Sequence, residues 1–148
     1  MFPFFIFTVT KNNIEMKRKI ALLIPVFLIS FFMLQSQVNN PWVVPEKFVE
    51  MDNPVKADKN SVSEGKKLYK QHCKICHGKD GQGDGYMAKN LEVDPSDLTF
   101  EDIDIQKDGE LFYKIKTGRD EMHSYKVVLE EKDVWNLVNY IRTFYSEE

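Results

Sequence analysis

Apolar residues recur three and four apart through the second half of the chain, and no stretch alternates apolar with polar at strand period. The clearest stripe is Val134, Leu137, Val138 and Ile141, bordered by Trp135, Tyr140 and Phe144. It predicts a helix over residues 130–145. A second helix is predicted over 108–117, with Leu111, Phe112 and Ile115 as its apolar face and Gly118 as its stop. A third is expected to run towards Cys76, capped by Ser61 or Ser63 with Glu64 in its first turn. On it, Leu68 and His72, and Gly65 and Tyr69, share faces. Thr99, followed three residues later by Asp102, resembles a capping box and predicts a short fourth helix. Gly78, Gly81, Gly83 and Gly85 mark a loop after the third helix. Residues 38–60 carry Pro41, Pro45 and Pro54 with no sustained period; they read as an extended segment packed through Trp42 and Phe48, or as a plain linker. The expected class is all-α.

Ahead of these elements, residues from Ile20 to Leu34 are apolar or small except Ser30, and follow Lys17, Arg18 and Lys19. This is a basic region followed by an apolar run of signal-peptide length, shorter than the about 20 residues of a membrane span. Met16 precedes the basic cluster, so translation is expected to start there, with residues 1–15 an over-called extension. Residues 1–37 are thus that extension plus a signal peptide cleaved near Ser36, the alternative being a retained N-terminal anchor through residues 20–34. Either route exports the remainder, and a soluble periplasmic product is the primary expectation. From Val38 onward, 14 Lys and 2 Arg stand against 22 Asp and Glu, a net charge of −6, which argues against a nucleic-acid partner. The charge is uneven. Lys66, Lys67, Lys70, Lys74 and Lys79 lie close together, whereas residues 92–121 hold ten acids and four bases. The simple reading is a solvated helix face with acidic loops; the sharper one is a charge dipole that orients the protein on a partner.

The chemistry concentrates in Cys73-Lys74-Ile75-Cys76-His77, the C-x-x-C-H pattern of covalent haem c attachment. On a helix these spacings share a face, so two thiols can form thioethers to one haem while the histidine lies under its iron. Haem in turn implies electron or small-ligand chemistry. A thioredoxin-type C-x-x-C would need a βαβ setting that is missing here. A zinc site would need four ligands, and the chain offers two cysteines and, besides His77, only His72 and His123. No phosphate-binding glycine loop and no Ser/His/Asp set is present.

With these residues in place, the stretch from Ser61 to Glu148 resembles a class I (monohaem) cytochrome c of bacterial type. The matching segments are Gly65-Lys66-Lys67-Leu68-Tyr69 leading into the haem motif, Gly81-Gln82-Gly83-Asp84-Gly85, Gly109-Glu110-Leu111-Phe112, Ile115-Lys116-Thr117-Gly118, Met122, and the run from Trp135 to Arg142. The resemblance implies about four short helices wrapped around one covalent haem c, which completes a core that about 88 residues would otherwise fill only marginally. It implies that Gly65 and Tyr69 meet the face running from Trp135 to Ile141. It also implies His77 as proximal ligand, its Nδ1 donating to a backbone carbonyl in a Pro-containing loop, for which Pro95 is the candidate.

The distal ligand implied by the resemblance is Met122. The family's methionine is usually followed by proline, and here the next residue is His123, so bis-His ligation is the alternative. Neighbouring residues of an extended loop point in opposite directions, so one of the two faces the iron. Met87 suits core packing better, and Met51 lies before the domain. His72 reads as a surface residue, and the Tyr86 and Tyr113 hydroxyls are unassigned donors to haem propionates. The expected function is single-electron transport between a protein donor and a protein acceptor, without catalysis. The alternatives are a fixed subunit of a larger periplasmic oxidoreductase and a haem-based ligand sensor.

Overall fold

The computed structural model describes residues 41–145. The start at Met16, the basic cluster and the apolar run of residues 20–34 lie outside the described residues, as do residues 38–40. Val43–Glu148 form one compact unit, and Trp42 falls outside it.

Its described residues hold six α-helices: α1 (Glu46–Val49), α2 (Lys59–His72), α3 (Lys74–His77), α4 (Glu101–Asp104), α5 (Asp108–Thr117) and α6 (Glu131–Ile141). One turn of 3₁₀ helix, Ala88–Asn90, follows α3. No strand forms among the described residues, so the class is all-α as expected.

Local chemistry shifts several boundaries. Asp58, and neither Ser61 nor Ser63, caps α2, accepting from the Asn60 and Ser61 amides at 3.0 and 2.9 Å. Ser61 is buried and its hydroxyl accepts from Asn139 Nδ2 at 2.7 Å, so it is committed to α6. Thr99 does not cap α4; its hydroxyl donates to Asp97 at 2.6 Å. The last helix ends at Ile141 instead of Tyr145, because the chain tightens into i→i−3 bonds from Thr143 and Phe144. There Arg142 turns to Asp108 at 2.8 Å and to the Ile103 carbonyl at 2.8 Å. The Pro-containing segment is extended apart from the turn of α1. From that turn Phe48 packs on Phe112 and Tyr113, with ring centroids 6.5 and 4.8 Å apart.

Residues 134–141 of α6 are all buried, since α6 lies between α2 and α5. Its crossing with α2 is centred on Gly65, where a β-carbon would stand 2.7 Å from the Asn136 carbonyl carbon and 2.8 Å from Tyr140 Cβ. Only glycine permits so close an approach. Around the crossing, Tyr69, Tyr140 and Phe144 make edge-on ring contacts at 5.0–5.3 Å, and Phe112 stacks on Trp135 at 4.1 Å. A polar network fastens the segment before α2. Asn53 donates to Asn139 Oδ1 at 2.8 Å and to Asp108 at 3.2 Å, and Asn139 donates to the Val55 carbonyl at 3.1 Å. Together these contacts hold α2 against α6 from its first turn to Tyr69, and its C-terminal end leads directly into Cys73.

Candidate haem-attachment site

Cys73, Cys76 and His77 occupy one turn. Cys73 caps the end of α2, and its carbonyl then accepts from the Cys76 and His77 amides at 3.1 and 2.9 Å. The glycine loop folds back over this turn and satisfies its remaining carbonyls: Gly83 donates to His77, Gly85 to Cys76 and Met87 to Ile75, all at 2.9–3.0 Å. At Gly85 a β-carbon would stand 2.5 Å from the Cys76 carbonyl, so the loop can close on the turn only with glycine there. Gly78 ends the turn, and its carbonyl accepts the buried Tyr69 hydroxyl at 2.9 Å. Burial first, and then the neighbouring Cys73, push the Tyr69 phenol well above its ordinary range.

Both cysteines are half-buried and neither is in a disulfide. Cys73 packs against the hydrophobic core, and burial together with Cys76 pushes its thiol up to about 12. His77 Nδ1 lies 3.1 Å from the Ser96 carbonyl. A carbonyl only accepts, so Nδ1 carries the proton and Nε2 is left with a free lone pair. Burial of the imidazole lowers its pKa and the Ser96 bond acts the other way. The accepting carbonyl belongs to Ser96, the residue after Pro95. Pro95's own carbonyl instead faces Gly83.

Met122 sits in a tight turn closed by two backbone bonds with Arg119, at 3.0 and 2.9 Å. Asp120 in that turn has φ +52°, an uncommon left-handed conformation. Below it, Gly118 at φ +62° leaves room for the His123 and Ser124 backbone, 2.6 Å from where a β-carbon would be. Met122 packs against the same core cluster as Cys73, whereas His123 is exposed. Three residues on, Tyr125 donates to the His72 carbonyl at 2.9 Å and sets its ring edge-on to the His72 imidazole at 5.6 Å. His72 is therefore half-buried against Tyr125, not a plain surface histidine. Burial first, then Cys73 and Cys76, raise the Tyr125 phenol to about 12.

The other candidates lie elsewhere. Met87 is half-buried at the start of the 3₁₀ turn, where Asn90 Nδ2 contacts its sulfur at 3.8 Å. Met51 packs against the core, inside the compact unit and not before it. Tyr113 is taken up by Phe48, and Tyr86 is exposed beneath Lys89. A cleft of about 420 Å³ opens behind the attachment turn, lined by Lys70, Lys74, Ile75, Lys79 and Tyr86 among others. Sequence reasoning missed Ser96, Tyr125 and the Glu121 contacts with Glu92 and Val93. None carries a periodic or motif signal, because each is a loop residue whose partner is remote in sequence.

The donor set fits covalent haem. Two thiols stand on one turn, an imidazole has its Nδ1 already engaged, and a thioether lies on the core side of a neighbouring loop. A protein-family profile described as "Cytochrome C oxidase, cbb3-type, subunit III" matches residues 60–141, more than half of the chain. Among solved structures, the chain resembles a Kuenenia stuttgartiensis reducing HAO-like protein complex. There the TM-score is 0.56 at 26% identity over 65% of this chain, and the chain spans only 50% of that structure's length. It also resembles the KustC0563 c-type cytochrome, with 31% identity over 55% of this chain and 98% of that one and a TM-score of 0.49. No curated protein matches the chain.

Proposed function

The chain belongs to the class I c-type cytochrome family, whose members carry covalently bound haem c, and on that premise we propose that it is an exported electron carrier with His77 and Met122 as axial ligands. The observation that carries this reading is the pairing of roles on the two loops. His77 is fixed by Ser96 with Nε2 available, and Met122, not His123, lies against the core. Cys73 and Cys76 would hold the haem as thioethers. Haem c supplies reversible one-electron exchange at its iron. The chain's residues do the rest. The Ser96 carbonyl holds the imidazole tautomer and raises the donor strength of Nε2. Met122 would hold the iron from the other side and would favour its reduced state relative to a second imidazole. Tyr69 and the glycine loop keep the attachment turn rigid, so little rearranges when the charge changes. The exposed lysines around Ile75 and Tyr86 offer a protein partner a docking face. Export rests on the basic cluster and apolar run of residues 17–34, and the periplasm is where such a domain would receive its haem.

A second reading, a subunit of a larger oxidoreductase, is favoured by the likeness to half of a chain from a protein complex. Co-purification of a second polypeptide with the native protein would select it.

Ligand replacement tests the primary reading. Met122→Ala should abolish the weak red charge-transfer band of sulfur-ligated ferric haem and let CO bind the ferrous protein quickly. Met122→His should stay low-spin at lower potential, and His123→Ala should change none of these. If His123→Ala opens the iron and Met122→Ala does not, the centre is bis-His. Rapid CO binding by the unaltered protein would point to ligand sensing.

A further inference from the structure

The turn that presents Met122 is short and lies at the surface. It is closed by two backbone bonds, contains a left-handed Asp120, and is flanked by exposed residues on both sides. Its local supports come from its own neighbourhood. Gly118 lies beneath it, and the Ser124 hydroxyl donates to the Lys116 carbonyl at 2.8 Å. Glu121, the residue before Met122, reaches further. One carboxylate oxygen accepts from the Glu92 amide at 2.8 Å and from the Val93 amide at 3.3 Å, 29 and 28 residues away. Those amides begin the loop whose Ser96 carbonyl, three residues on, accepts from His77 Nδ1. One short stretch, residues 92–96, is thus tied to both candidate axial ligands.

We propose that Glu121 is a positioning residue for the iron's sixth ligand. Its carboxylate clasps the 92–93 amides, holds the Met122 turn against the loop that orients His77, and so sets how often the thioether leaves the iron. The proposal rests on Met122 being the ligand. The clasp acts by reach and geometry. One oxygen at this reach bonds two backbone N–H groups, so one side chain restrains two loops. Charge alone would not have this effect.

The test uses the haem-loaded full chain with Glu121→Ala, Glu121→Gln and Glu121→Asp. Glutamine keeps an acceptor oxygen at the same reach, whereas aspartate keeps the charge and is one methylene too short. Four quantities are measured: CO association with the ferrous protein, the ferric red charge-transfer band, amide exchange at Glu92 and Val93, and helix content. Alanine and aspartate are expected to speed CO binding about tenfold, corresponding to about 1.4 kcal/mol in the exposure of the iron. They should weaken the band, accelerate exchange at both amides and leave helix content unchanged. Glutamine is expected to remain within about threefold of the parent rate, since its oxygen still accepts from both amides. The proposal is overturned if the two amides exchange faster while CO binding and the band stay put, or if exchange does not respond at all. It is equally overturned if aspartate behaves like the parent, which would make charge the active property. Met122→Ala in the same series separates the two failures. If it opens the iron and the Glu121 variants do not, the clasp fails and the ligand stands; if it leaves the iron closed, the ligand assignment fails first.

Discussion

Gly65→Ala puts the most direct load on the architecture that presents Cys73. The added methyl would meet the Asn136 backbone carbonyl, with its carbon 2.7 Å away, and Tyr140 Cβ at 2.8 Å. Two of these three atoms are backbone of α6 and the third is fixed to it, so the methyl can be accommodated only if α2 and α6 separate. Alanine gains about 1 kcal/mol over glycine in a helix interior. Forcing a methyl into a packed contact costs about 1–3 kcal/mol, and a rigid backbone neighbour places this case near the top of that range. Separation also loosens the Tyr69–Tyr140 edge contact at 5.3 Å, worth about 0.5–1.5 kcal/mol. The balance is a loss of about 3 kcal/mol. For a domain of this size that lowers Tm by about 15 °C, read by far-UV circular dichroism of the haem-loaded protein at fixed concentration. A variant as stable as the parent, or more stable as propensity alone would dictate, would refute the close crossing and with it the placement of the α2 end.

Two further outcomes follow from surface charge and from the buried phenols. Lys74→Glu with Lys79→Glu should slow oxidation of the reduced protein by ferricyanide, an anion, by about tenfold at low ionic strength, and added salt should shrink the difference; stopped-flow rates that ignore the substitutions would remove this face from the docking surface. Tyr125 has its pKa raised to about 12 from 10.0, with burial as the first cause, and burial persists once the thiols are thioethers. A raised folded-state pKa gives stability that is complete below pH 10 and is lost as pH climbs towards about 12. Denaturant midpoints should therefore fall across that window, and Tyr125→Phe should flatten the fall; an unchanged slope would mean that this phenol is not protected.

The helices were legible wherever apolar spacing decided them and misread wherever polar chemistry did. Helix α5 falls on the residues its stripe predicts, and Gly65 meets α6 as the resemblance implied. The first follows from burial, which periodicity reports directly; the second is what the resemblance alone implied. The caps went elsewhere because the side chains turn to other partners: Ser61 accepts from Asn139 and Thr99 donates to Asp97, while Asp58 accepts from the first amides of α2. Helix α6 stops early for a similar reason, since Arg142 finds its partners on the segment of residues 103–108 and no local pattern announces them.

The attachment turn was visible because its chemistry needs fixed spacing within five residues. Its supports are long-range and carry no such spacing. Ser96 lies 19 residues from His77, and Tyr125 lies 53 from His72. Both work through backbone carbonyls, for which residue type matters little at one end of the bond. This asymmetry bears on the distal ligand. Two adjacent residues, Met122 and His123, can both coordinate iron, and along the sequence only the resemblance to the family's ligand loop favours Met122. What separates them is a property of the turn: the Arg119 bonds and Gly118 beneath put Met122 against the core and leave His123 outside. A bis-His centre would require this turn to rotate by one residue, breaking both Arg119 bonds and drawing Glu121 away from the Glu92 and Val93 amides. The place of Met122 thus rests on the Arg119 bonds and the clasp on the Glu121 bonds, so a spectrum that reports sulfur ligation tests the first and the Glu121 variants test the second.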